Sequence, residues 1–124
     1  MKQIEKEKFE EIVSLAIETL PEKFKNRLNN VAIFVEDEPT AEQLNKVKLK
    51  RGDLLYGLFE GYAQARKLNF GAVLPDRITI FRKAILNQSA NEQELKQKII
   101  STVKHEIAHH FGSDELGASK AGRR

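Results

Sequence analysis

The sequence predicts an α+β domain that begins with a helix, continues through short strands and closes on a long helix. Three observations predict it: a helical-period apolar face near the N-terminus, short β-branched and aromatic runs in the middle, and a second helical-period face ending at Gly112. The 124 residues suit one compact domain, residues 1–124, and are too few for two.

The first helix is expected over residues 4–20, where Phe9, Ile12, Val13, Ala16, Ile17 and Leu20 keep to one side at helical spacing. Pro21 ends it or opens a short turn, since proline offers no N–H, and Phe24 and Leu28 continue the apolar face. Asn29-Asn30 breaks the pattern. Residues 31–35 (Val-Ala-Ile-Phe-Val) read as a buried strand, which charge and Pro39 bring to an end. Thr40 caps a helical turn starting at Ala41 that runs out into a loop by residue 52. Residues 54–61 are a strand or turn element punctuated by Gly57 and Gly61. A turn follows at residues 71–76, and then a strand at 77–82 with Ile78 and Ile80 on one face and Arg77, Thr79 and Phe81 on the other. Ala84-Ile85-Leu86 forms one helical turn. For the last helix, Ser89 and Asn91 each have a glutamate three residues on, giving two capping-box starts. Leu95, Ile99, Ile100, Val103, Ile107 and Phe111 then recur up to a helix-ending glycine.

Composition narrows the function. Hydrophobic residues make up 40% and charged residues 31%, which fits a globular chain and argues against disorder. No apolar run approaches the roughly 20 residues of a membrane span, and no apolar segment of a secretory leader follows the charged N-terminus. There is no cysteine, so a metal would have to be held by nitrogen and oxygen. A cytoplasmic protein without a membrane partner is expected. The net charge of +3 is mild. Basic runs at Lys46, Lys48, Lys50 and Arg51, and at Lys120, Arg123 and Arg124, come without the density or the stacking aromatics that nucleic-acid binding calls for, so solvated faces explain them better.

The chemistry concentrates in one place. All three histidines of the chain lie within residues 105–110, in His105-Glu106-Ile107-Ala108-His109-His110. Side chains four apart on a helix share a face, so His105 and His109 can aim two imidazoles at one Zn2+ ion. Glu106 lies beside them, where a carboxylate can take a proton from a water on that ion. Neutral imidazoles leave the ion its charge, which acidifies such a water and polarises a carbonyl. A catalytic zinc usually has a third protein ligand, and no histidine exists outside this cluster. His110 projects about 100° away from His109, which leaves a carboxylate just past the helix. Glu115 follows Gly112 by three residues, the place of the last ligand in the extended motif H-E-x-x-H-x-x-G-x-x-H, and is the first choice; Asp114 is the second.

His105-Glu106-Ile107-Ala108-His109-His110-Phe111-Gly112 with its following acidic pair resembles the small bacterial zincin-like metallopeptidase family, described as a minimal matrix-metalloprotease-like domain. A second block supports this: Leu58-Phe59-Glu60-Gly61, then Gly71-Ala72-Val73-Leu74-Pro75-Asp76 running into Arg77-Ile78-Thr79-Ile80-Phe81-Arg82. The resemblance covers about the C-terminal two thirds of the chain. It implies a zincin-like fold, with a small mixed sheet packed on the N-terminal helix and on the zinc-bearing helix. It also implies an acidic third ligand, although family members usually carry aspartate where this chain has Glu115. In zincins an edge strand pairs with extended substrate beside the metal, and residues 77–82 are the candidate by character. Larger relatives have a methionine turn beneath the metal; here Met1 is the only methionine.

The expected function is therefore hydrolysis of peptide bonds in a peptide or protein substrate. Zinc is the cofactor and Glu106 activates a water on it. The alternative is a non-catalytic metal-binding or protein-interaction module that keeps the fold. Glu106 favours the enzyme, because a structural metal has no need of a general base.

Overall fold

The computed structural model describes residues 4–61 and 75–111. Helix α1 (Lys6–Glu18) forms where the apolar period places it and buries Phe9, Ile12, Val13 and Ala16. Thr19 closes it, the hydroxyl donating to the Ala16 carbonyl at 2.7 Å. Pro21 starts α2 (Glu22–Arg27), which buries Phe24, and a 3₁₀ turn at Leu28–Asn30 delivers the chain to β1 (Val31–Glu36). Helix α3 (Ala41–Lys46) has the Thr40 cap. Thr40 Oγ1 accepts from the Gln43 N–H at 3.1 Å, and Gln43 Oε1 accepts from the Thr40 N–H at 2.9 Å.

Strands β2 (Gly57–Glu60) and β3 (Asp76–Phe81) complete a three-stranded sheet of order β1-β3-β2. β1 runs parallel to β3 and β2 antiparallel to it, with Phe59 opposite Ile78 and Glu60 opposite Arg77. The mixed α+β architecture expected from the sequence is the one found. One expectation is overturned. Residues 77–82 are the sequence's candidate for pairing with substrate, yet β3 is the central strand, and β1 and β2 already take its ladder groups on both sides. Its alternation looks like that of a one-sided strand because Arg77 and Thr79 are polar. Ile78, Thr79, Ile80 and Phe81 are nevertheless all fully buried, since elements cover both faces.

Those two faces carry two cores. Ile78 and Ile80 join Phe9, Ile12, Leu95, Ile99, Val103 and Ile107 in the main one. Phe81 and Leu58 join Leu44 and Leu55 in a smaller cluster beneath α3. Burying each such side chain contributes about 1.5–3 kcal/mol, so the main core fixes the helices against the sheet. β1 departs from the buried strand expected of its composition. Only Val35 is buried, and Phe34 is 45% exposed with the Arg77 guanidinium 4.2 Å from its ring centre. β1 lies at an outer position of the described sheet, where β-branched composition reports pleated geometry more than burial.

Helix α4 (Arg82–Asn87) is longer than the single turn expected and leads to α5 (Glu92–Phe111). Of the two capping starts, Asn91 is the one used. Its Oδ1 accepts from the Glu94 N–H at 2.9 Å, while Glu94 Oε1 accepts from the Ala90 N–H at 2.8 Å. Ser89 instead is buried and donates to the Ile85 carbonyl at 2.7 Å, which ties off α4. Among the described residues no helix is long and apolar enough to cross a membrane. Of the turn expected at 71–76, residues 71–74 lie outside the described residues, and Asp76 opens β3.

Candidate metal centre

Helix α5 carries the cluster of histidines and is anchored by its apolar stripe. Leu95, Ile99, Val103 and Ile107, spaced by four, are each fully buried. Four residues advance a helix by about 400°, so positions adjacent to the stripe drift slowly around the axis and stay close to the sheet. Thr102 and Glu106 fall on this flank, and both are buried.

His105 and His109 lie one turn apart on the far side of that flank. Their ring centres are 5.3 Å apart and the rings are tilted by 38°. Two imidazoles on one tetrahedral zinc, each nitrogen about 2.0–2.1 Å from the ion, have ring centres roughly 5 Å apart, and the separation of this pair matches that spacing. The donor chemistry fits as well, since imidazole nitrogens are ordinary zinc ligands. His105 is half-buried with Nε2 enclosed, and His109 is exposed.

Glu106 projects between the histidines and the core stripe. It is 4% exposed, and its Oε1 accepts a hydrogen bond from the Phe59 N–H of β2 at 3.1 Å. A carboxylate taken out of water needs such donors, and here a strand 47 residues earlier supplies one. His110, passed over as a ligand in the sequence, turns toward β2. Its ring stacks on Phe59 with centres 3.8 Å apart and planes 20° apart. Glu106, His109 and His110 line a cavity of about 330 Å³ together with Lys46, Leu58, Phe59 and Glu60. A cavity of that size falls at the low end for small-molecule sites and suits one extended side chain better than a large ligand.

Sequence reasoning missed Glu60. It is 8% exposed, receives Lys46 Nζ from α3 at 2.6 Å and lies 3.9 Å from Arg77 Nε; Arg77 Nη2 in turn meets Glu36 at 2.6 Å. This run of alternating charge crosses all three strands, and its Lys46 and Glu60 end lines the cavity. The alternation of residues 57–60 hints that Glu60 shares a face with Leu58, but only the register reveals its partners. Glu115 and Asp114 lie outside the described residues. Among those described, no group of three histidine, aspartate or glutamate side chains is placed to hold a metal.

A family model described as zincin-like metallopeptidase matches residues 28–120. The match includes the sheet, the cavity and the whole of α5. No curated protein matches the sequence. Among solved structures, the chain is similar to a conserved hypothetical protein from Thermo thermophilus, with a TM-score of 0.57 and 23% identity over 91% of this chain and 97% of that one. At that identity the likeness is one of fold.

Proposed function

From the premise that the chain belongs to the zincin-like metallopeptidase family, we propose that it is a zinc-dependent peptidase. His105 and His109 would hold the ion, Glu115 would complete its protein ligands, with Asp114 as second choice, and Glu106 would be the general base. The observation that carries this reading is the setting of Glu106. A buried carboxylate is costly to keep, and this one faces a cavity, adjoins the paired imidazoles and is oriented by a backbone donor.

Zinc, when bound, supplies Lewis acidity for a water and for the scissile carbonyl. The protein's own part is positional. The Phe59 N–H donates to Oε1 of Glu106 and so orients a carboxylate that lines the cavity, where it would take the proton of the attacking water. Once protonated, the same side chain can deliver that proton to the departing amine, the usual double duty of a general base. The cavity beside Glu106 would receive a substrate side chain, with Leu58 and Phe59 offering apolar walls and Lys46 and Glu60 polar ones. Within the described sheet, β2 is the outer strand nearest the histidines, and its Phe59 N–H is already engaged.

The test pairs zinc analysis of the purified chain with cleavage of a mixed peptide library, for the wild type and for Glu106→Gln. The expected result is about one zinc per chain in both, with cleavage by the wild type reduced roughly 100-fold or more in the variant. Zinc in both proteins without cleavage in either would favour a metal-binding module. Absence of zinc in both would overturn the reading at its base.

A further inference from the structure

The HExxH helix is laid along the edge of β2 in a matched register of three contacts. Gly57 meets Thr102, Phe59 meets Glu106, and Gly61 meets His110. The partners advance by two residues on the strand and by four on the helix. Two strand residues span about 6.6–6.8 Å and four helical residues about 6.0 Å, so the three pairs remain aligned with less than about 1 Å of slippage per step.

Both outer contacts depend on glycine. A Cβ at Gly57 would stand 2.6 Å from Thr102 Cγ2 and 3.2 Å from the Thr79 carbonyl oxygen. A Cβ at Gly61 would stand 3.1 Å from His110 Cε1. The middle contact is the hydrogen bond from the Phe59 N–H to Glu106 Oε1 at 3.1 Å, close to the long end of a good N–H···O bond. Any side chain that pushed the helix from the strand would stretch that bond out of range. The His110 ring, stacked at 3.8 Å on Phe59, closes the far end of the same seam.

We propose that Gly57 and Gly61 are positioning residues for Glu106: by letting α5 rest on the backbone of β2, they fix where its carboxylate sits. The value of that position for catalysis rests on the peptidase reading; the position itself does not. Neither glycine carries a reacting group, although Gly61 also lines the cavity. Each acts through the distance between helix and strand, and a displacement of about 1 Å at a catalytic group can cost roughly 100-fold in rate.

The experiment compares the wild type, Gly57→Ala, Gly61→Ala and the double variant Gly57→Ala with Thr102→Ala, the last of which removes the methyl group that the new Cβ would strike. Amide hydrogen exchange at Phe59 reports the seam directly, with Ile78 and Ile80 in β3 as internal references. In Gly57→Ala the Phe59 amide should exchange about 10-fold faster or more relative to those references, and the double variant should recover most of that protection. Gly61→Ala should show a smaller change in the same direction, because the His110 ring can yield, and it serves if Gly57→Ala does not fold. In cleavage, Gly57→Ala should lower kcat about 10-fold or more with KM and zinc content within about twofold of the wild type, and the double variant should restore kcat. Unchanged Phe59 exchange in both single variants, or failure of Thr102→Ala to rescue, would overturn the proposal. If no protein cleaves any peptide, the peptidase reading falls, and Phe59 exchange alone still decides the seam.

Discussion

On one face of α5, Leu95, Ile99, Val103 and Ile107 are sealed into the main core against α1 and the sheet. On the adjoining face, Thr102, Glu106 and His110 meet β2 through a methyl group that leaves no room for a Cβ at Gly57, one hydrogen bond and a ring stack. The first face is held by buried area, which is non-directional and tolerates a change of shape at a graded cost. The second is held by register, where a few tenths of an ångström decide whether a bond exists. The apolar face therefore supplies stability and the polar face supplies placement. A small domain can keep a reactive helix end near solvent in this way, because the other end and the other side anchor it.

The two faces should come apart most sharply at His109. His109→Ala removes an exposed side chain, so the unfolding midpoint measured in chelator should move little. Zinc affinity, read by competition with a chelator, should fall by more than the roughly 10–100-fold that loss of an outer partner of a metal ligand costs. A large loss of stability with zinc retained would put His109 on the structural side.

Ile99→Ala makes the opposite cut. It empties a fully buried site one turn before Val103 and should cost about 2–5 kcal/mol in denaturant unfolding. Below the new midpoint, zinc content and kcat should stay near wild type if buried area and placement are separable. A kcat that falls in step with stability would mean that the two faces act as one.

Asn91→Ala tests the anchor that both faces share. Loss of the Oδ1 acceptor for the Glu94 N–H should cost about 1 kcal/mol, seen as faster exchange in the first turn of α5 and no change at Phe59. The smallest effect is expected far from the helix, at the Asp37–Arg82 pair, where the Arg82 guanidinium 2.8 Å away lowers the Asp37 carboxyl below its usual 3.8. A lowered folded value means that this contribution is present above the ordinary aspartate range and is lost as pH falls through the folded value. Asp37 is half exposed, so Asp37→Asn should change neutral-pH stability by less than about 1 kcal/mol and flatten the acid limb slightly.

Features that depend on neighbours a few residues apart are legible in the amino-acid sequence alone. The apolar stripe of α1, the Thr40–Gln43 capping box, the course of α5 and the common side of His105 and His109 all follow from helical geometry, because that geometry repeats within one turn. Glycines at 57 and 61 were legible as punctuation, but not as the spacers of a helix–strand seam. Tertiary structure decided the central place of β3, the exposure of Phe34 on β1, the burial of Glu60 between Lys46 and Arg77, and the contact of Glu106 with the Phe59 N–H. Those features join residues 14 to 47 positions apart, and they depend on strand order and register. A strand's period of two says which side chains share a face, while the neighbour on its flank is chosen only when the whole sheet and α5 close together.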